Sequence, residues 1–318
     1  MQIKEAISND LGIPIKLIDE ALSVARTQVK IFNIKKRNGK PRAILQPSKK
    51  LKTLQYWLLA NLFKKLPVHG SAVAYLNGMS ILHNAKRHSE HRFFLKMDLN
   101  NFFPSINYAD VLPLIESWHE RTSPIWDLDD EAKNLIRLSC FFKEDMLPVG
   151  YPSSPVISNV VMYDFDEKIT KLIFDRVKYG ECVYTRYADD LVFSTDQKGA
   201  CTELLKDITT FIDGMTSPKI SVNTSKTKLG TSTGGSASVT GLKICSDGHI
   251  TMHRKQKDHI RLLLSLYSKG ILKDDEHNSL LGHLSYCHYV APAFYSNLLK
   301  KYFKEIKELR AKKDLQGS

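Results

Sequence analysis

Alternating polar and apolar positions at residues 183–195, VYTRYADDLVFST, predict two short strands that meet at a tight turn. Residues 183–187 show the period of two expected of a strand. The apolar residues 191–193 predict the returning strand. The turn places Asp189 and Asp190 side by side, and two adjacent carboxylates between apolar strands repel each other unless a positive charge lies nearby.

A second apolar run, FFLKMDLNNFF at residues 93–103, predicts a strand that ends in one acid, Asp98. If this strand lies beside the 183–195 hairpin, three carboxylates from two backbone segments converge on one face. Divalent cations favour carboxylate oxygens, and two of them about 3.5–4 Å apart can align the attacking and leaving oxygens of phosphoryl transfer. The alternative is an ordinary hairpin turn, because Asp also suits turns through its local hydrogen bonds.

The N-terminal part of the chain predicts a hairpin followed by a helix. The sequence VKIFNIKKRNGKPRAILQP contains two β-type runs joined at Asn38-Gly39, a strong hairpin signal. Ser48 is placed to cap the helix that runs to about residue 65. Further helices are predicted at residues 16–28, 80–88, 108–143 with breaks at Pro113 and Pro124, 153–175 with a cap at Ser153 or Ser154, 199–214, 253–268, 276–289 and 291–313.

Composition is ordinary for a soluble globular protein, since 42% of the 318 residues are apolar and 25% are charged. No apolar run approaches the roughly 18 residues of a membrane span, and the mixed, polar N-terminus has no signal-peptide core. The five cysteines are scattered and form no C-x-x-C pair. We therefore expect reduced thiols in a cytoplasmic protein, without a disulfide framework or a zinc site.

The charged residues are unevenly distributed along the chain. Residues 21–89 contain 14 Lys or Arg and no Asp or Glu, whereas residues 90–249 contain 17 basic and 23 acidic residues. Residues 250–318 are basic again, with 13 basic and 7 acidic residues. Two basic regions on either side of an acidic middle are typical of a protein that holds phosphate backbones around a metal site. A merely solvated surface is the alternative, but a long stretch without one acid favours nucleic acid.

These motifs resemble those of a known family. Tyr-Ala-Asp-Asp at 187–190, together with Asp98 and the trailing Phe102-Phe103, resembles the palm of reverse transcriptases. Residues 84–88, NAKRH, match the Asn-Ala-x-x-His signature of retron reverse transcriptases, and residues 239–241, VTG, match a second retron marker in the expected order. The resemblance covers roughly residues 25–315.

The resemblance implies a right-hand polymerase of the α+β class, with an antiparallel palm sheet. An N-terminal helix and the fingers would occupy residues 1–90. The palm would occupy residues 91–250, with a helical fingers insertion at about 108–145. A helical thumb would form from residues 251–318.

The resemblance also implies the roles of individual residues. Asp98, Asp189 and Asp190 would ligate two Mg²⁺ ions, with a backbone carbonyl near Leu99, and Lys226 would protonate the leaving pyrophosphate as general acid. The nucleotide would contact Arg42, with Lys40 and Lys49 as weaker candidates, the aromatic steric gate Phe103, and the backbone around Gly150. At residue 149 this chain has Val where the family has Gln, so a side-chain amide that positions template and nucleotide in relatives is missing.

Binding of a structured RNA would involve both retron markers and the basic thumb. The residues implied are Asn84, His88, Val239, Thr240, Gly241, Arg254, Lys255, Lys257 and Arg261, and the thumb adds Lys300, Lys301, Lys304 and Lys307. Because RNA duplexes are recognised largely by shape and phosphate contacts, no base-reading residue can be named.

Retron membership would imply an RNA-directed DNA polymerase that uses dNTPs and a cognate non-coding RNA as both template and primer. Synthesis would start from a guanosine 2′-hydroxyl and yield a branched RNA–DNA product, msDNA, in anti-phage defence with a separate effector protein and no membrane. Two alternatives stay open at this stage. One is another bacterial reverse transcriptase, group II intron-like or defence-associated, and the other is an RNA-binding scaffold that holds an effector inactive.

Overall fold

Two helices and a hairpin form the start of the chain in this computed structural model, which describes residues 1–35, 39, 41–235 and 237–316, with side chains to residue 311. Helices α1 (Ile3–Leu11) and α2 (Ile15–Ser23) precede the antiparallel strands β1 (Val29–Lys35) and β2 (Pro41–Pro47). The hairpin prediction is confirmed, whereas the predicted helix 16–28 ends early, at Ser23. Helix α1 was missed because its polar sequence conceals an apolar face of buried residues at Ile3, Ala6 and Ile7.

Helix α3 (Lys49–Asn61) begins where the sequence predicts, because the Ser48 hydroxyl accepts a hydrogen bond from the Leu51 amide at 3.2 Å. A 3₁₀ turn at Phe63–Lys65 completes the predicted segment. The short helix α4 (Ile81–Arg87) follows, capped in the same way by the Ser80 hydroxyl.

A four-stranded antiparallel sheet lies at the centre of the fold. Its strands are β3 (Phe93–Asp98), β4 (Cys182–Tyr187), β5 (Asp190–Thr195) and β6 (Lys228–Thr231), in the order β4-β5-β3-β6. Between β3 and β4 the chain forms five helices: α5 (Tyr108–Thr122), α6 (Asp130–Cys140), α7 (Ser154–Val161), α8 (Tyr163–Ile173) and α9 (Arg176–Tyr179). Helix α10 (Ala200–Asp213) follows β5.

Three details of the helices predicted in this region are wrong. Pro113 lies inside α5 rather than breaking it, whereas Pro124 does lie between α5 and α6. No serine side chain caps α7, since Ser154 donates instead to the Pro148 carbonyl at 2.6 Å. The helix predicted to reach residue 175 is interrupted at Met162, which lies between the end of α7 and the start of α8.

The C-terminal part begins with a small antiparallel sheet that the sequence did not predict. Its strands β7 (Ser238–Val239), β8 (Leu242–Ile244) and β9 (Ile250–Thr251) are too short to show a hydrophobic period. Four helices follow: α11 (Arg254–Ser268), α12 (Asp274–Val290), α13 (Pro292–Lys301) and α14 (Phe303–Gln316). The predicted helix 291–313 is therefore divided at Tyr302. No helix in the described part of the chain is long and apolar enough to cross a membrane.

Strand β3 separates two hydrophobic cores. Leu95 and Met97 point into the larger core beneath the central sheet, together with α1, α3, α5 and α10. Phe94 points the other way, into the core shared by α4, the small sheet and the C-terminal helices. Since side chains alternate along a strand, Lys96 and Asp98 lie on the Phe94 face. The α+β class is thus confirmed, and the acid at the end of β3 faces the C-terminal helices.

Candidate active site

Three carboxylates lie at one edge of the central sheet, although their oxygens do not all come within 4.8 Å of one another. Asp98, the last residue of β3, lies directly opposite Asp190, the first residue of β5. Asp189 lies in the preceding turn, which Ala188 makes possible with a φ of 58°. The backbone amide of Leu99 donates to the Asp189 carbonyl at 3.0 Å, so this turn is tied to the end of β3.

Two lysines neutralise part of this negative charge. The Lys226 ammonium lies 2.8 and 2.9 Å from the two carboxylate oxygens of Asp98. The Lys96 ammonium lies 3.1 Å from the Asp190 Oδ1. Lys96 was not among the sequence-predicted site residues, although its place two positions before Asp98 in a strand puts both on the same face. Three acids therefore face two ammonium groups.

Burial and the neighbouring charges together shift the pKa values of two of these carboxyls. Burial raises the pKa of Asp189, and the neighbouring Asp190 raises it further. Burial also raises the pKa of Asp190, against the opposing effect of Lys96. Both carboxyls are thus held where ionisation is disfavoured unless more positive charge is supplied. A set of oxygen ligands on fixed strands, with excess negative charge, fits divalent cations such as Mg²⁺.

The segment that carries Lys226 is fixed to β3 by backbone and side-chain bonds. The amide of Asn223 donates to the Asp98 carbonyl at 2.7 Å, and its side chain donates to the Asp98 carboxylate at 3.2 Å. The Asn100 amide donates to the Ser221 carbonyl at 2.9 Å. The structure thus brings Lys226 to the predicted site, where its contact is with a carboxylate.

A separate group of metal-ligand side chains lies on the turn between β8 and β9. Among the described residues, only Cys245, Asp247 and His249 bring three ligand atoms within 4.8 Å of one another. The Asp247 carboxylate already accepts from the His249 ring or amide, and both side chains are mostly exposed. Because the described residues add no fourth ligand atom at this distance, we assign no metal to the turn.

Phe103 is partly exposed, whereas Phe102 is buried. The Phe103 ring is half-buried, between Phe102 with centroids 5.4 Å apart and Tyr75 at 6.4 Å. Tyr75 is 47% exposed, and the charges of Asp189 and Arg42 both act on its hydroxyl, whose pKa burial raises. Tyr75 is therefore an additional candidate for contact with a nucleotide. Sequence reasoning missed it because an isolated tyrosine carries no pattern.

The structure describes only some of the other candidate nucleotide-binding residues. Arg42 is exposed on β2, and Lys40 lies outside the described residues. Gly150 has a φ of 112°, and a Cβ there would lie 2.6 Å from the Leu45 carbonyl oxygen. Close packing of the 147–155 turn against β2 therefore explains this glycine without a nucleotide.

Asn84 and His88 are both buried, which corrects the expectation of direct RNA contact by their side chains. The His88 ring nitrogens lie 2.7 Å from the hydroxyls of Ser194 and Thr185, so the histidine ties α4 to the palm hairpin. Burial lowers the pKa of His88 to about 3, and it is neutral at physiological pH. The side-chain amide of Asn84 has no hydrogen-bond partner among the described residues.

The two retron marker segments contact each other. Val239 is buried in the same core as Ala85, so its side chain is not available to RNA. Thr240 has a φ of 46° and donates through its hydroxyl to the Ile81 carbonyl at 3.1 Å. Gly241 completes the turn with a φ of 82° and is exposed. Residues more than 150 positions apart in sequence thus form one surface beside the palm.

The basic residues of α11 divide into two groups. Arg254 and Lys255 are exposed. Arg261 and Lys257 lie over the Phe294 ring, 4.8 and 5.3 Å from its centroid. The second pair is held by cation–π contacts. Arg261 also donates to the Asp258 carboxylate at 2.7 Å, and Arg254 lies 3.6 Å from the same carboxylate.

Comparisons with known proteins agree with this architecture. Residues 34–263 match the family described as reverse transcriptase (RNA-dependent DNA polymerase). The chain is 43% identical over 280 residues to the retron Ec73 reverse transcriptase of Escherichia coli, covering 87% of this chain and 88% of that protein. It is 31% identical over 283 residues to the retron Ec83 reverse transcriptase of Escherichia coli, covering 87% of each.

Solved structures show the same fold at low sequence identity. Telomerase from Candida albicans, in complex with a TWJ fragment of telomeric RNA, superposes with a TM-score of 0.53 and 12% identity, covering 90% of this chain and 58% of the telomerase chain. Apo telomerase from Candida tropicalis gives a TM-score of 0.50 and 13% identity, covering 90% of this chain and 58% of that chain. The predicted right-hand polymerase fold is therefore confirmed.

Proposed function

Because the chain belongs to the retron class of bacterial reverse transcriptases, which are RNA-directed DNA polymerases, we propose that it copies part of a cognate non-coding RNA into msDNA. That RNA serves as both template and primer, and dNTPs are the other substrates. Synthesis starts at the 2′-hydroxyl of a guanosine, so the product is branched RNA–DNA.

The observation that carries the catalytic part of this proposal is the register of the sheet. Asp98 and Asp190 are cross-strand partners, and Asp189 occupies the adjoining turn. A structural turn would not need three acids at one edge with only two lysines to balance them. A polymerase that brings Mg²⁺ to a triphosphate does need them.

Two Mg²⁺ ions would be held by Asp98, Asp189 and Asp190, with the backbone carbonyl of Leu99. When bound, such ions polarise the reacting phosphate and lower the pKa of the attacking hydroxyl. Lys226 is 55% exposed in its contact with Asp98, so its ammonium can exchange partners. Released from Asp98, it is positioned to donate a proton to the departing pyrophosphate.

Nucleotide selection would fall to residues on the fingers side of the carboxylates. The half-buried Phe103 ring, supported by Phe102 and Tyr75, acts as the steric gate against a ribose 2′-hydroxyl on the incoming nucleotide. Arg42 binds the triphosphate, and Lys40, outside the described residues, is its predicted neighbour. Backbone groups around Gly150, which packs against β2, are further candidates for contact with the nucleotide.

Recognition of the cognate RNA would use the surface formed by the two marker segments and the thumb. The buried members Asn84, His88 and Val239 hold that surface in shape. The turn formed by the half-buried Thr240 and the exposed Gly241 contacts the RNA. Exposed Arg254 and Lys255 add phosphate contacts, so binding should weaken steeply with salt. Retron membership also supports the proposal that this complex acts in anti-phage defence with a separate effector protein.

Purification of the protein from its native host, followed by analysis of the bound nucleic acid, tests this function. We expect a discrete single-stranded DNA that shifts after RNase or debranching treatment. The Asp189→Ala, Asp190→Ala double variant should carry the same RNA without DNA. Bound RNA without DNA in both proteins would leave an RNA-binding scaffold, and synthesis only from a supplied primer would exclude retron priming.

A further inference from the structure

Two adjoining clefts connect the catalytic carboxylates to the Thr240–Gly241 turn. The first, of about 520 Å³, contains Asp98 and Asp190, and the second, of about 630 Å³, reaches Thr240 and Gly241. The side chains common to both are Lys96, Asp190, Ser238 and His253. A strand of nucleic acid running from the RNA-binding surface to the carboxylates would therefore pass Ser238 and His253.

Ser238 and His253 form a fixed pair at this junction. The Ser238 Oγ lies 3.1 Å from the His253 Nε2, and both residues are half-buried. Ser238 is held in β7 opposite Lys243, and His253 immediately precedes α11.

The pair is uncharged, which distinguishes it from its neighbours. Burial, and then the charge of Lys243, lowers the pKa of His253, so the imidazole is neutral at physiological pH. The charged groups of this cleft include Lys96 and Lys226, which contact Asp190 and Asp98, and Lys228. A neutral hydroxyl–imidazole pair offers donors and acceptors together, the complement of a ribose 2′-hydroxyl, which DNA lacks.

We propose that Ser238 and His253 form the binding site for the priming ribonucleotide and hydrogen-bond to its attacking 2′-hydroxyl. This inference rests on the proposed 2′-hydroxyl priming. It assigns the pair to initiation alone, because the primer end becomes DNA after the first additions and offers no 2′-hydroxyl. Elongation would then proceed past the same side chains without this contact.

The test compares initiation with elongation in the same set of variants. For initiation, RNA recovered from the Asp189→Ala, Asp190→Ala protein, which cannot extend it, is offered with dNTPs and Mg²⁺, and first-nucleotide addition is timed. For elongation, a DNA primer annealed to a synthetic RNA template is extended. The variants are His253→Ala, the conservative His253→Gln, Ser238→Ala and, as a matched histidine outside both clefts, His249→Ala.

We expect His253→Ala to slow initiation about tenfold, which corresponds to the loss of one hydrogen bond of about 1.4 kcal/mol. The elongation rate should stay within about twofold of that of the unsubstituted protein. His253→Gln should recover part of the loss, Ser238→Ala should slow initiation to a lesser degree, and His249→Ala should change neither rate. Equal losses in both assays, or no loss in initiation, would overturn the assignment. If the unsubstituted protein extends the DNA primer but never the recovered RNA, the proposed retron priming itself fails.

Discussion

Two buried groups of charges on the same sheet illustrate opposite uses of aspartate. On β4, the Arg186 guanidinium binds Asp166 through bonds of 2.7–3.1 Å, and both side chains are completely buried. The Tyr184 hydroxyl donates to the same carboxylate at 2.7 Å, and Asn159 accepts from the guanidinium at 3.1 Å. Every charge in this cluster has its partner.

The proposed catalytic group, at the turn that follows Arg186, is built with the opposite balance. Asp98, Asp189 and Asp190 face two lysines, and the ammonium of Lys226 is half exposed. A buried ion pair with all its hydrogen bonds made is a structural element, because removing one partner leaves an uncompensated charge. A group of carboxylates with too few positive partners attracts cations from solution. The number of partners, more than burial, separates the two roles.

The largest effect is expected from Asp98→Asn, which removes one acid from the incomplete group. DNA synthesis should fall about a thousandfold or more, since metal ions contribute several kcal/mol to such reactions. The neutral amide is isosteric with the carboxylate, so the urea midpoint and RNA affinity should hardly change. Primer extension, urea unfolding and RNA binding are the measurements. Substantial synthesis by this variant would contradict the assignment of Asp98.

Asp166→Ala breaks the complete cluster and should act on stability. We expect the free energy of unfolding to fall by about 3–5 kcal/mol, because Arg186 is left buried and unpaired. The molecules that remain folded should still synthesise DNA. The control is Asp164→Ala on the exposed side of the same helix, expected within about 0.5 kcal/mol of the unsubstituted protein. A similar loss of unfolding free energy in both variants would contradict a specific contribution of the Asp166–Arg186 cluster to stability.

His88 extends the comparison to a buried polar group without charge. Its folded-state pKa of about 3 lies below the usual 6.5, so the unfolded chain binds the proton more readily. Its contribution to stability is therefore complete above about pH 6.5 and declines as the pH falls towards 3. His88→Gln should cost about 1–3 kcal/mol at neutral pH and should weaken this pH dependence. Urea unfolding at several pH values measures both, and an unchanged pH slope would contradict the account.

The smallest effect is expected from Lys96→Met, which makes the incomplete group more negative. Removing the ammonium from Asp190 should strengthen Mg²⁺ binding by about two- to fivefold, equivalent to a partly screened ion pair of up to about 1 kcal/mol. Calorimetric titration of the nucleic-acid-free protein with Mg²⁺ measures this. Weaker binding by the variant would mean that Lys96 supports the metal site instead of competing with it.

The features that the sequence predicted correctly are those fixed by a residue's position along a strand, a turn or a helix end. Asp98 and the 189–190 pair end strands with clear periods, so their convergence was foreseeable. The Lys226 segment followed from a family motif. Ser48 and the Asn-Gly hairpin were local signals that need no tertiary information.

What it missed depended on packing between distant segments. Burial of Asn84, His88 and Val239 cannot be read from a motif that only records residue identity. The contact of Gly150 with Leu45 joins residues about a hundred positions apart. The three strands of the small sheet are too short for any period, and Tyr75 lies near Asp189 only because of the fold.

Mg²⁺-dependent thermal unfolding tests the central claim most directly, that the carboxylate group is an incomplete charge site that takes divalent cations. The protein freed of nucleic acid, its Asp189→Ala, Asp190→Ala variant and the Asp164→Ala control are melted over a series of Mg²⁺ concentrations. A ligand that binds only the folded state raises the melting temperature with its concentration. We predict a rise for the unsubstituted protein and the control, and none for the double variant. An equal rise in all three, or no rise in any, would contradict the account.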